Sequence, residues 1–225
     1  MPSPDEGRPA RRRNPRGQGQ LLKAQLVEAA ARLLATLDQP ETLTLRQVAR
    51  EVGVAPASIY GHFPDLGALV EHVLRLRYQE LAALLDRAAE AEAAPGPLAG
   101  LVARCAAYVR WGVEQPGAYR TLFGGRMPAD LVPGAGHGEG AELLDAVITS
   151  LARVNGERGR QGSEEQRWRD GLMLWTAMHG LVGLYNDHGD LPWPPLDDLL
   201  AQLLALHTGR PAAEIAALLA RRDED

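Results

Sequence analysis

The 225-residue sequence predicts an all-α protein. Leucine and alanine abound, only 5% of the residues are aromatic, and no stretch alternates apolar with polar residues over a useful length. Strands favour β-branched and aromatic residues in period-two patterns, whereas here the apolar positions recur every three or four residues. A chain of this length forms one or two compact domains with a substantial core.

The elements follow in order. Residues 1–20 hold Pro, Gly and five arginines with almost no apolar residue, which predicts a disordered, basic N-terminal arm. Arg11, Arg12, Arg13 and Arg16 stand directly ahead of the first helix. Such an arm can lie along phosphates or dip into a minor groove, or it can be a solvated tail. Leu21 to Leu37 is an amphipathic helix with Leu22, Leu26, Ala29, Ala30, Leu33 and Leu34 on one stripe, and Asp38 to Thr42, with Pro40, is a loop.

From Thr44 to Asp65 the sequence reads as two short helices around a tight turn. Thr44 stands at an N-cap position, where its hydroxyl accepts an orphan backbone N–H. Leu45, Val48 and Ala49 face inward at helical spacing, while Arg46, Gln47 and Arg50 face out. Gly53 supplies the backbone freedom of the turn, and Pro56 suits the first position of the second helix. In that helix, Pro56 to Phe63, Ile59 and Phe63 point to the core and leave Ala57, Ser58, Tyr60 and His62 outside. Small residues at the start and hydrogen-bonding groups further along suit a helix that enters a major groove. Asp65 then caps a long helix carrying Leu69, Val70, Val73, Leu76, Leu81, Leu84 and Leu85 and ending near Ala94.

Ala94-Pro-Gly-Pro97 is a break, and Pro97 opens a helix whose buried stripe is Leu98, Leu101, Val102, Cys105, Tyr108, Val109 and Gly112. A short helix, 117–123, and a Gly- and Pro-rich mobile loop, 124–140, come next. Helix resumes over 141–154. Ser163-Glu-Glu-Gln166 has a capping-box pattern that opens a helix to about Tyr185. Helices over 196–207 and 211–220 complete the chain, with Gly209 stopping the first of them and Pro211 starting the second.

The segment from Thr44 to Asp65, with its Tyr60-x-His62-Phe63 ending, resembles the helix-turn-helix of the tetracycline-repressor (TetR) family of bacterial transcription regulators, over about Leu21 to Val73. Trp175-Thr-Ala-Met-His179-Gly180 resembles a Trp-x-x-x-His-Gly signature of one branch of that family, and Tyr119-Arg-Thr-Leu-Phe123 resembles a second segment of it. The resemblance implies a helix-turn-helix DNA-binding domain (21–66) followed by a larger helical ligand-binding and dimerisation domain (67–225). Its expected partners are double-stranded operator DNA, a second copy of the chain and a small apolar or aromatic effector that releases the repressor from a palindromic operator. Helices 163–186 and 195–207 would pack against their two-fold mates as a four-helix bundle. Thr44, Arg46, Pro56, Ala57, Ser58, Tyr60 and His62 form the expected DNA surface. Tyr60 and His62 match family residues that reach phosphates, and Thr44 and Arg46 sit where a helix N-terminus favours anions. Two positions depart from the family pattern. Ala55 stands where Ser or Thr often caps the recognition helix, and Leu66 stands where a phosphate-binding lysine is common.

Tyr108, Trp111, Phe123, Met173, Trp175, Met178 and His179 are the large or polarisable groups on the helices expected to enclose a ligand. Trp175 and His179 share one helical face, so an ordinary reading is a core tryptophan beside a buried, hydrogen-bonded histidine. No cofactor or metal site is expected. The chain has no Gly-rich phosphate loop and no His–carboxylate pair at metal spacing, and Cys105 has no visible base partner. The lone Cys105 excludes an intrachain disulfide and fits a reducing compartment. No run of about 18 apolar residues suggests a membrane span, which predicts a cytoplasmic protein. An alternative reading is a helical small-molecule-binding or protein-interaction module whose helix-turn-helix is structural.

The net charge of −5 disguises an asymmetry. Residues 1–66 carry nine Lys/Arg against seven Asp/Glu, while the remainder carries fifteen against twenty-two. A mildly basic head on an acidic body suits a DNA reader joined to a sensor, although chance gives the same balance in chains of this size. With no capping hydroxyl at 55 and no lysine at 66, the arginine arm becomes the expected electrostatic anchor. Deleting residues 1–17 is expected to lower DNA affinity and flatten its salt dependence; an unchanged salt slope would reject that role.

Overall fold

The computed structural model describes residues 18–37, 39–91, 96–124, 140–160 and 162–221. Among these, nine α-helices form: α1 (Gln18–Thr36), α2 (Leu45–Val52), α3 (Leu66–Glu90), α4 (Pro97–Glu114), α5 (Pro116–Phe123), α6 (Gly140–Glu157), α7 (Glu164–Asp187), α8 (Leu196–Thr208) and α9 (Ala212–Arg221). Two 3-10 segments, Pro40–Thr42 and Pro56–Gly61, complete the described secondary structure. Helix α1 begins three residues before the expected end of the arm, so Gln18, Gly19 and Gln20 are helical. Residues 1–17 and nearly all of the expected mobile loop lie outside the described residues.

Caps explain both ends of α2 and the starts of α3 and α7. Thr44 Oγ1 accepts from the Gln47 amide at 3.2 Å, and Gln47 Oε1 accepts from the Thr44 amide at 2.7 Å, so both orphan donors are satisfied reciprocally. Gly53 ends α2 in the left-handed region at φ 76°, where a side chain would be strained. Asp65 Oδ1 accepts from the Ala68 amide at 2.8 Å, and Ser163 Oγ accepts from the Gln166 amide at 3.2 Å.

Two hydrophobic cores divide the chain, but not at residue 66. The head core gathers Leu26, Ala30, Leu34, Val48, Ile59 and Phe63 together with Leu69, Val70 and Val73 of α3. The body core takes Leu81 and Leu85 from the same helix and packs them with α4, α6, α7, α8 and α9. Leu74 packs against both cores. The expected boundary at 66/67 marks the cap of α3, whereas the change of core falls about two turns later. Leu66, the position without a lysine, packs against the head core.

Helix α5 packs crosswise between head and body. Its Gly117 lies so close to α1 that an added Cβ would stand 2.2 Å from the Ala35 carbonyl oxygen. The obstacle is backbone, so no rotamer change relieves it. On this geometry Gly117→Ala is expected to cost about 1–3 kcal/mol of stability. Denaturant midpoints check this, and equal midpoints for the variant and the parent would contradict the close approach.

Candidate functional site

The surface expected to face DNA assembles on the head from two directions. The N-terminus of α2 presents Thr44 and Arg46, and the turn after Gly53 presents Pro56, Ala57, Ser58 and Tyr60, all exposed. Tyr60 is 61% exposed although its neighbour Ile59 is fully buried, so one short segment anchors itself and offers a large polar group outward. His62 is half-buried, with its Cε1 3.7 Å from where a Cβ on Gly19 would stand, which brings the start of α1 to the same surface. Thr44 is not a free phosphate ligand, because its hydroxyl also donates to Gln47 Oε1 at 2.8 Å.

The segment after Gly53 differs from the expected α-helix over Pro56 to Phe63. Pro56–Gly61 is a 3-10 helix in which the Ser58 amide donates to the Ala55 carbonyl at 2.9 Å. Ala55 gives no side-chain cap, Gly61 has poor helix propensity, and Pro64 disfavours the α region for Phe63. Six residues bounded this way tighten into 3-10 geometry.

In the body, six ring systems converge. His179 of α7 lies 4.6 Å from Trp175, 4.7 Å from Phe123, 5.4 Å from Tyr108 and 5.8 Å from Tyr119, measured between centroids. Trp111 joins the cluster 6.4 Å from Tyr108 and from Phe123. The hydroxyls of Tyr108 and Tyr119 each stand 2.9 Å from His179 Nδ1, and the Tyr119 hydroxyl also donates to the His179 carbonyl at 3.2 Å. Burial pushes the imidazole down to about 4, so His179 is neutral at pH 7 and Nδ1 accepts from a tyrosine. The same burial raises both phenols, which keeps them protonated as donors. Met178 is fully buried in the body core. Met173 is a correction to the expected ligand set: it is 56% exposed, because the face of α7 that carries it turns away from the rings.

Two family models match the chain. "Bacterial regulatory proteins, tetR family" covers residues 26–73, and "Tetracyclin repressor-like, C-terminal domain" covers residues 101–207. The chain belongs to the TetR family. Similar solved structures agree with this. A protein of unknown function from Rhodococcus sp. RHA1 is 26% identical, with 84% of this chain and 94% of that one covered at a TM-score of 0.66. A TetR family transcription regulator from Marinobacter aquaeolei VT8 is 14% identical, covering 87% and 97% at 0.62. A tetR-family transcriptional regulator from Streptomyces coelicolor is 20% identical, covering 90% and 88% at 0.58. These last two likenesses establish the fold alone. No curated protein matches.

As a TetR family member the chain is a DNA-binding transcription regulator, and TetR regulators are not enzymes as a rule. Burial pushes the Cys105 thiol up to about 12, so it stays protonated at neutral pH. Among the described residues no three His, Cys, Asp or Glu side chains gather as metal ligands. No described helix is long and apolar enough to cross a membrane.

Residue-by-residue reading missed the partners that lock the ring cluster. Tyr119, which completes the polar trio, was visible only inside the Tyr119-to-Phe123 segment. Tyr78 of α3, whose hydroxyl donates to the Leu122 carbonyl at 2.7 Å and whose ring lies 5.7 Å from Phe123, carries no sequence signal beyond its helical position. A cleft of about 400 Å³ between head and body went unseen as well. Ala31, Ala35, Leu84, Trp111, Ala118 and Thr121 are among its lining residues. Trp111 alone links it to the expected ligand set.

The buried imidazole also sets a pH dependence. Its folded value is near 4 against an ordinary 6.5, so the unfolded chain takes the proton first as pH falls. The stabilisation is complete above about pH 6.5 and is lost progressively down to about pH 4. Burial shifts His72 and His207 in the same direction. His179→Asn, which keeps an acceptor for the tyrosine, is expected to flatten the fall in unfolding free energy between pH 7 and pH 5. Parallel pH profiles for parent and variant would show that His179 does not carry it.

Proposed function

We propose that this TetR regulator is a cytoplasmic repressor that binds a palindromic operator as a homodimer and is released by a small apolar or aromatic molecule. The observation that carries the DNA reading is the exposed Tyr60 beside fully buried Ile59 on the segment after Gly53. Each subunit would set the Pro56–Gly61 segment into a major groove, with half-sites about one helical turn apart. Ala57 and Ser58 let the backbone approach the bases, and Tyr60, His62 and Arg46 reach phosphates.

The dimer reading rests on apolar groups left on α7 and α8. Met173 and Leu184 on α7 are 56% and 52% exposed, Leu206 on α8 is 86% exposed, and a methyl group added at Gly180 or Gly183 would meet open space. In a single chain these groups only raise solvation cost, whereas a two-fold four-helix seam buries them.

For the effector, Tyr108, Trp111, Phe123, Trp175, Met178 and His179 are the sensing residues. These rings pack on one another at centroid distances of 4.6–6.5 Å, and an effector that reaches them by way of Trp111 need not part them. A ligand with equal affinity for both arrangements would shift nothing, so it must prefer the one that misaligns the heads.

The test is binding of the purified chain to DNA flanking its own coding region, across a salt series. Tyr60→Ala with His62→Ala is expected to keep fold and dimer state while lowering operator affinity by about tenfold or more. If the helix-turn-helix is only structural, parent and double variant alike will show weak, sequence-indifferent binding.

A further inference from the structure

The cleft between head and body differs chemically from the ring cluster. Its floor is apolar: Ala31 and Ala35 from α1, Val73, Leu81 and Leu84 from α3, and Ala118 from α5. Trp111 also lines it. About 400 Å³ lies within the range of small-molecule pockets and accommodates a molecule of one or two fused rings.

The charges at the rim are unequally committed. Arg77 is held by Glu28 and by Glu80, the latter at 2.7 Å, and Glu28 also pairs with Arg32 at 3.8 Å. Both glutamates are therefore neutralised within the wall. Arg87, on the same lining, forms no ion pair or side-chain hydrogen bond among the described residues. Three arginines face two glutamates, and the arginine with unspent donors offers a planar fork matched to a carboxylate. A cation would meet only acids that are already paired.

We propose that this cleft is the effector site and that it takes a small aromatic or alkyl carboxylate, with its apolar body against Trp111 and the α1 alanines and its carboxylate on Arg87. The assignment rests on the reading of the chain as an effector-controlled repressor. It adds an anionic group to the effector, which no cluster of cations in the sequence had suggested, because Arg32, Arg77 and Arg87 come from two helices far apart in the chain.

Occupancy of this cleft has a direct mechanical consequence. Ala35 forms part of its wall and is also the residue whose carbonyl abuts Gly117. Ala118 and Thr121 of the same wall flank the side of α5 that carries Tyr119 into the ring cluster. A molecule seated there touches head and body at once, so its affinity differs between any two arrangements of the pair.

Calorimetric titration of the full chain, without DNA, with 1-naphthoate and with its neutral analogue 1-naphthamide tests the site. The acid is expected to bind saturably and about tenfold or more tighter than the amide, and Arg87→Gln, a change at an exposed helix position, is expected to abolish that preference. Saturating 1-naphthoate is expected to weaken binding to the operator by the parent chain. The proposal is overturned if the acid does not bind below about 1 mM, if the amide binds equally well, if Arg87→Gln keeps the preference, or if bound acid leaves operator affinity unchanged. Failure of the repressor reading looks different: the parent chain then has no operator affinity even without 1-naphthoate, whatever the calorimetry gives.

Discussion

Helix α5 is eight residues long, and it touches α1 of the head as well as α4 and α7 of the body. Its start is pressed on the α1 backbone at Gly117, its middle is hydrogen-bonded to α7 through Tyr119 and His179, and its last turn is held to α3 by Tyr78. An isolated helix of this length is unstable in water, so its position is set wholly by these attachments. The attachments differ in kind. A backbone-to-backbone contact yields to almost nothing, whereas a ring cluster with satisfied hydroxyls can exchange one packed arrangement for another. On the proposed reading, a change in the body would reach α1 through α5.

Helix α3 is the second shared element, and it explains why the head is not an independent bead on a string. Leu69, Val70 and Val73 belong to one core, Leu81 and Leu85 to the other, and Leu74 to both. Arg77 adds an ion pair from α3 back to Glu28 of α1. Pairs at such partly exposed positions contribute little stability, but they fix the rotation of one helix against another. With α1 held by α3 on one side and by α5 on the other, the orientation of the segment after Gly53 is tied to the body by two routes.

What the sequence made legible follows from how local each signal is. The cap at Thr44, the turn at Gly53, the burial of Ile59 with Phe63 and the cap at Asp65 depend on residues within a few positions of one another, and each is found where periodicity and turn chemistry put it. The 3-10 form of Pro56–Gly61 was also legible in principle, since Ala55, Gly61 and Pro64 all oppose a regular α-helix. The body resisted in proportion to sequence distance. Helical spacing put Trp175 and His179 on one face, but nothing local told which of the neighbouring apolar residues shared it, so Met173 was grouped with rings that it does not meet. Tyr78, Tyr119 and His179 come from three helices spread over a hundred residues, and only packing reveals that they act together.

The packed rings of the body set a cost on any guest that would part them. Tyr108 is 1% exposed, and its hydroxyl stands 2.9 Å from His179 Nδ1. Parting these rings would cost both their mutual contacts and the desolvation of two phenols and an imidazole. A guest that stays beside Trp111 avoids that cost and still gains contact with α1, α4 and α5 together. Coupling is then strongest where the binding energy is least spent on opening the protein. On the proposed reading, sensing at the junction with the head therefore costs less than sensing at the ring cluster.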